Sequence, residues 1–378
     1  MKTIIFSFVA VACTVFFTLC HAGGVSYSAG HDSVHDSIPA SDSIRLIFVG
    51  DVMGHSPQTK GAWHDGGDSC YNFIPNFQWV KDYISSADIA IANFEVTLAG
   101  EPYSGYPTFS SPISLAVVLQ DVGFDILATA NNHILDHGAK GMERTIDVLD
   151  SLGITHTGTF KDSTQWGKNY PLMIEKNGFR LAFLNYTYGT NMGKEQSPVI
   201  VNYMDTIRMA ADLEKARELN ANCIITILHW GTEYQNKESD IQRQIADFLA
   251  QHGCNLIVGA HPHVVQPVKK IAGNSSDSVL VAYSLGNFVS NQRWRHSDGG
   301  IMLEVTLSGS SDSILKLNSW RYEPVWVHRY SEKGVLVYRL IPVTDYLINP
   351  ERYPVMSAGD EKLLRQFDED TRKIMNDE

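Results

Sequence analysis

Ile44-Arg-Leu-Ile-Phe-Val49-Gly50-Asp51 is a short apolar run that stops on a glycine and a carboxylate. Its length and composition suit a buried strand. The same grammar recurs along the chain. Ile89 to Ala92 runs into Asn93-Phe-Glu95, Ile126 to Ala130 into Asn131-Asn132-His133, Cys223 to Leu228 into His229-Trp230-Gly231, and Leu256 to Val258 into Gly259-Ala-His261-Pro-His263. Leu181 to Asn185 and Val279 to Tyr283 are further runs of strand length. Helical spacing lies between several of them, over Gly141 to Leu152, Met204 to Glu218 and Ser239 to His252, where Ile241, Ile245, Phe248 and Leu249 share a face. This alternation predicts an α/β layered core with mainly parallel strands covered by helices. Ligands of such sheets bind outside the carboxyl ends of the strands, so the polar residues that end these runs converge on one place.

Each residue alone has a structural reading. Asp51 suits a turn or helix cap, Asn131-Asn132 a left-handed turn, Glu95 a solvated loop, and His229 beside Trp230 a packed, hydrogen-bonded ring. His261-Pro-His263 is harder to set aside, because on an extended segment residues two apart point the same way, as in a chelating pair. Independent caps would not all fall on one sheet edge. Asp51, Glu95, Asn132, His229, His261 and His263 form a mixed nitrogen and oxygen set that suits Zn²⁺, Mn²⁺ or Fe and argues against a thiolate site. The set exceeds the needs of one tetrahedral ion, so the reading is two divalent transition-metal ions sharing a carboxylate.

The rest of the chain bounds the answer. It has 378 residues, 44% hydrophobic and 19% charged, which is an ordinary globular composition and excludes disorder, collagen and coiled coil. The net charge of −12 repels a phosphate backbone, so nucleic acid is not expected as a partner. Lys2, the apolar run from Ile4 to Leu19 and the ending Cys20-His21-Ala22 predict a signal peptide over residues 1–22, cleaved near Ala22, and hence export to the periplasm, cell surface or exterior. The rival reading is a lipoprotein anchored through Cys20, the one route to membrane contact, because no other stretch is long and apolar enough to span a bilayer. Residues 23–43, with His31 and His35, are expected to form a flexible tail. The remaining thiols, Cys70, Cys223 and Cys254, are too few for a disulfide framework. Ile301 to Leu307, Tyr322 to His328 and Val335 to Leu340 read as antiparallel strands, and Ser357 to Asn376 as a final charged helix. No repeat or linker follows Asp42, so a single domain over 44–345 with a C-terminal helical extension over 346–378 is preferred.

Gly50-Asp51-Val-Met53-Gly54, Asn93-Phe-Glu95, Asn131-Asn132-His133-Ile-Leu-Asp136-His-Gly138, His229-Trp230-Gly231-Thr-Glu233-Tyr234, Gly259-Ala-His261-Pro262-His263-Val-Val-Gln266 and Ser284-Leu-Gly286-Asn287-Phe288 occur in the order of the CapA family of poly-gamma-glutamate capsule-synthesis proteins. The chain resembles a full-length member over about residues 44 to 290. That family in turn resembles the calcineurin-like metallophosphoesterases. The resemblance implies a four-layer α/β/β/α sandwich and a two-metal centre in which Asp51 and His263 hold one ion, Glu95 bridges, and Asn132, His229 and His261 hold the other. It gives His133 the place of the general acid. Two departures stand out. The phosphoesterases carry a histidine two positions after the first Asp, where this chain has Met53, leaving His55 as the available substitute, and they bridge with Asp rather than the longer Glu95.

The chemistry so implied is metal-dependent hydrolysis, with water activated by the cations and His133 protonating the leaving oxygen. The substrate would be a phosphoester or an anionic glutamate polymer, whose peptide or isopeptide carbonyl the same water could attack. Two readings of another class stay open: a scaffold subunit of a capsule-polymer synthesis or export complex, or a polymer-binding module without turnover.

Overall fold

The strand β1 (Ser43–Val52) shows why these runs fold as they do. Ile44, Leu46 and Phe48 lie in one apolar cluster, while Ile47, Val49 and Val52 lie in another. Side chains alternate across a strand, so a strand covered on both faces reads as an unbroken apolar run. In the computed structural model, which describes residues 43–194, 197–274, 278–353 and 356–376, this pattern builds two sheets. The expected leader and all of the expected tail before Ser43 lie outside the described residues.

The first sheet contains β1, β2 (Ile89–Phe94), β3 (Ile126–Ala128) and β4 (Thr155–Thr157), all parallel. A short pair, β5 (Thr159–Phe160) and β8 (Ile200–Val201), stands apart. The second sheet holds β6 (Leu172–Lys176), β7 (Phe179–Thr187), β9 (Cys223–His229), β10 (Leu256–Ala260), β11 (Val265–Ala272) and β12 (Ser278–Leu285), in the order β11-β12-β10-β9-β7-β6. Its inner strands are parallel and its edges antiparallel. The chain then returns to the first sheet through β13 (Asn287–Val289), β14 (Gly299–Ser308), β15 (Lys316–Glu332) and β16 (Val335–Pro342). β14, β15 and β16 extend β1 as an antiparallel ribbon, as expected, although β15 runs well beyond the anticipated Tyr322 to His328.

The two sheets face each other across one cluster, to which β1 gives Ile44 and Phe48, β7 gives Leu181 and Phe183, and β9 gives Ile225 and Ile227. Helices α1 (Ser56–Asp65), α2 (Ile74–Phe77), α3 (Lys81–Ser85), α4 (Ser114–Val122) and α5 (Gly138–Leu152) cover the outer face of the first sheet through Ala62, Phe77, Ile84, Leu119 and Leu149. The helix α6 (Ser163–Asn169) leads into the second sheet. α7 (Thr206–Glu218) and α8 (Asp240–Gln251) cover its outer face with Met209, Leu213, Ala246 and Leu249. Both begin where expected because they are capped: Asp205 Oδ1 accepts from the Ile207 and Arg208 amides, and Ser239 and Gln242 form a reciprocal capping box. The result is the expected α/β/β/α sandwich. Each fully buried Leu, Ile or Phe across these interfaces contributes about 1.5–3 kcal/mol.

α9 (Val343–Ile348) and α10 (Ala358–Asn376) close the C-terminal end over Trp326 and Ile341, with Tyr346, Leu364 and Phe367 in the same apolar cluster. All described residues fall in one compact unit, and α9 straddles the boundary expected at residue 345.

Candidate metal centre

Register brings the polar strand ends together. Asp51 pairs across β1 and β2 with Asn93, and across β1 and β13 with Asn287. This approach needs Gly50, since a Cβ there would lie 1.9 Å from the Gly286 carbonyl oxygen, which accepts from the Asp51 amide at 3.0 Å. In the second sheet His229 pairs with Ala260, one residue before His261.

Asp51, Glu95, Asn132, His229, His261 and His263 are all buried. Asp51 Oδ1 accepts from Asn93 Nδ2 at 2.7 Å and Oδ2 lies 2.8 Å from His263 Nδ1. Burial alone would raise the Asp51 pKa, but the His263 hydrogen bond and charge, with Asn93, hold it below the usual carboxylate range. An ionised carboxylate only accepts, so His263 Nδ1 is the donor to Asp51, and His263 Nε2 lies 3.9 Å from Glu95 Oε1. His229 Nε2 lies 2.9 Å from Asn132 Oδ1 and 3.6 Å from Glu95 Oε1. Burial, followed by repulsion from the neighbouring imidazoles, pushes His229 well below the ordinary histidine pKa and His261 down to about 3. Both rings are therefore neutral, as ligands require.

Glu95 carries the strongest signal. Both its carboxylate oxygens are buried and neither has a hydrogen-bond partner, and the same holds for His261 Nδ1 and Asn93 Oδ1. Interior polar atoms are paired in the great majority of cases, so this many orphans around one point suit a positively charged ligand. Burial, then the Asp51 charge, raises the Glu95 pKa well above the carboxylate range. Potential donor atoms converge in two triads, Glu95 with His261 and His263, and Asp51 with Glu95 and His229. Glu95 belongs to both, which fits a shared ligand; the grouping of histidines differs from the partition the resemblance implies. The donor set fits divalent cations.

One local expectation is corrected. The His261-Pro-His263 segment is not extended: His261 has φ 99° and His263 φ 59°. The rings share a triad with centroids 5.9 Å apart because the backbone turns, and positive φ at two non-glycine residues is strain of the kind that clusters at functional sites.

His133 stands beside this cluster. Its Nδ1 is 2.8 Å from Asp136 Oδ2, which also accepts the Phe109 amide at 2.7 Å, and the Phe109 ring meets the imidazole edge-on at 4.6 Å. His133, His263 and His55 line a cavity of about 1000 Å³. His55 belongs to neither triad. It sits at the start of α1, with Nδ1 3.1 Å from Gln58 Oε1 and 3.3 Å from the Asn291 amide, and burial lowers its pKa to about 4. Met53, at the position of the absent histidine, is buried in the apolar cluster beneath α1 and borders the same cavity.

Residues 45–292 match the family described as bacterial capsule synthesis protein PGA_cap. The chain belongs to that family. It is 29% identical to the PGA biosynthesis protein CapA of Bacillus subtilis (strain 168) over 71% of this chain and 69% of that one. It is 30% identical to the capsule biosynthesis protein CapA of Bacillus anthracis over 73% of this chain and 66% of the relative. A structure described as a 5′-nucleotidase from Staphylococcus aureus in complex with alpha-ketoglutarate aligns with a TM-score of 0.50 at 13% identity, over 86% of this chain and 58% of the other. At that identity the likeness shows the fold, which is of the metallophosphoesterase type.

In this PGA_cap protein further residues support the centre besides the six expected ligands and His133. Asn93 bridges Asp51 and His229, with Nδ2 3.2 Å from His229 Nδ1. Tyr188, at the end of β7, lies against His261 with ring centroids 4.6 Å apart. Asp136, which orients His133, follows it by one helical turn and was legible as an acid and imidazole pair; Tyr188 obeys only the general strand-end rule.

Proposed function

We propose that the protein is an exported, metal-dependent hydrolase of capsule-polymer metabolism. The observation that carries this reading is the buried Glu95 carboxylate, without a partner on either oxygen, between neutral imidazoles and the Asp51 carboxylate. Asp51, Glu95, Asn132, His229, His261 and His263 would hold two divalent ions. When bound, such ions supply a nucleophile from water at neutral pH and neutralise charge developing on the substrate.

The chain's own residues do the rest. Asn93 holds Asp51 and His229 in place, and Asp51 keeps the His263 proton on Nδ1. Asp136 holds the His133 Nδ1 proton, leaving Nε2 to exchange a proton with the leaving oxygen in the adjoining cavity. The substrate is a phosphoester or an anionic glutamate polymer, consistent with the capsule role printed for the relatives. Export rests on Lys2, the Ile4 to Leu19 run and Ala22, and N-terminal sequencing of the protein from its native host checks it.

The deciding experiment is elemental analysis after reconstitution with Mn²⁺ or Zn²⁺, followed by a screen of phosphomonoesters, phosphodiesters and gamma-glutamyl peptides. Close to two ions per chain with turnover of one class is the expected result. Two ions without turnover would leave a polymer-binding or assembly protein, and a stoichiometry well below one would end the metal reading.

A further inference from the structure

The cavity beside the Glu95 cluster holds a second chemistry that hydrolysis does not use. Arg293 and Arg329 both line it. Arg293 donates Nη1 to the Val327 carbonyl at 2.8 Å, while its Nε and Nη2 are buried without partners. Arg329 is oriented by Asn291, whose Oδ1 accepts from Arg329 Nη1 at 3.1 Å and from the Tyr338 hydroxyl at 2.6 Å. Among the described residues neither guanidinium forms an ion pair, whereas Arg295, Arg339 and Arg372 in the same C-terminal region each bind an aspartate.

Two guanidiniums that repel each other and form no ion pair, with Asp298 and Asp360 acting on Arg293 only from beyond salt-bridge distance, are unfavourable in a partly dehydrated wall. Burial and the Arg329 charge together lower the Arg293 pKa to about 10. The chain as a whole has twelve more acidic than basic side chains, so a carboxylate partner was available to the fold and is not used here. An incoming oxyanion is the partner that relieves the pair, and a guanidinium recognises a carboxylate or a phosphate with the same fork of N–H donors.

The mouth also carries exposed apolar side chains among its polar residues. Tyr106 is 77% exposed, Trp294 62% and Met192 59%, and Tyr234 packs edge-on to Trp294 at 4.9 Å. Glu233 also borders the cavity and disfavours an anion close to its own carboxylate.

We propose that Arg293 and Arg329 form an oxyanion subsite beside the metal centre, so that the substrate carries a second carboxylate or phosphate besides the group at Glu95, joined by a segment with apolar faces. The position of the scissile group rests on the hydrolytic reading above; the subsite itself does not.

The test is calorimetric binding to the metal-loaded full chain with two matched pairs of probes. One pair is propyl phosphate and propane-1,3-diyl bisphosphate. The other is a three-residue gamma-glutamyl peptide with all but one carboxylate amidated, and the same peptide with its carboxylates free. The wild type should prefer the multiply charged member of one pair by about 10-fold, the size of one charge-assisted contact, and the pair that shows the preference identifies carboxylate or phosphate. Arg329→Met should abolish that preference and leave the singly charged member unaffected, while Arg329→Lys restores part of it through its charge. Arg293→Met should act in the same direction, and if it does not fold the Arg329 variants carry the test. Equal affinities within both pairs for the wild type, or a preference that survives Arg329→Met, overturns the subsite. Preference without turnover of any probe keeps the subsite and ends the hydrolase reading; turnover without preference does the reverse.

Discussion

The Glu95 carboxylate at the metal-side edge of the two sheets and the carboxylates of Asp65 and Asp370, which meet arginines of the C-terminal region, are treated in opposite ways. At the strand ends, Glu95, Asn93 and His261 bury polar atoms that have no hydrogen-bond partner among the described residues, and His261 and His263 adopt left-handed backbone angles. In the C-terminal region Arg339 grips Asp65 with contacts of 2.9 and 3.1 Å, and Arg295 grips Asp370 at 3.0 and 2.8 Å. The difference separates two uses of charge. Paired groups hold α1 and α10 against the sheet, whereas unpaired and strained groups are tolerated where a ligand completes them.

Substitution can break that contrast most sharply at Glu95. Glu95→Ala should drop metal stoichiometry below one and reduce turnover by on the order of 10³-fold. The metal-free variant should nevertheless melt higher than metal-free wild type, by about 1–3 kcal/mol of stability, because a buried group without partners has been removed. A lower melting point in both forms would mean that Glu95 is structural.

Asp65→Ala should do the converse. Both members of its pair with Arg339 are about nine-tenths buried, so removing one leaves an uncompensated charge and should lower stability by about 3–5 kcal/mol in denaturant titrations, with two ions still bound per chain.

His133→Ala is expected to lower turnover about 100-fold while metal content stays close to wild type, with a lower melting temperature because the buried Asp136 carboxylate loses its imidazole partner. Loss of metal would show that the ring is a ligand. Asp136→Asn should produce a smaller, parallel loss with a shifted pH profile, since it acts by orienting the ring.

The smallest effect lies in the C-terminal helix. The Arg295 hydrogen bond holds the Asp370 pKa below the ordinary aspartate value. A depressed folded pKa gives stability that is present above the unfolded value near 3.9 and lost as pH falls through the folded value. Because Arg295 is largely exposed, solvent screening keeps the pair's contribution small. Asp370→Asn should therefore unfold slightly earlier than wild type in urea at pH 6, and the gap should close below about pH 4. A gap that stays undiminished as pH falls from 6 to well below the ordinary aspartate value would locate the effect in packing.

The strands and most of the centre were legible in the chain because local physics repeats. A strand buried on both faces must be apolar throughout and can carry chemistry only where it ends, which is how Asp51, Glu95, Asn132 and His229 declare themselves. Tertiary structure alone decided how these ends meet. The turn at His261 to His263, the insertion of β13 beside Asp51, the placement of Tyr188 against His261, and the meeting of Arg293 with Arg329 at one cavity depend on contacts between residues far apart in sequence. So does the position of His55, whose ring is anchored by Gln58 and by the distant Asn291 amide. Periodicity sets which face of an element is buried, but it carries no record of which other element covers that face.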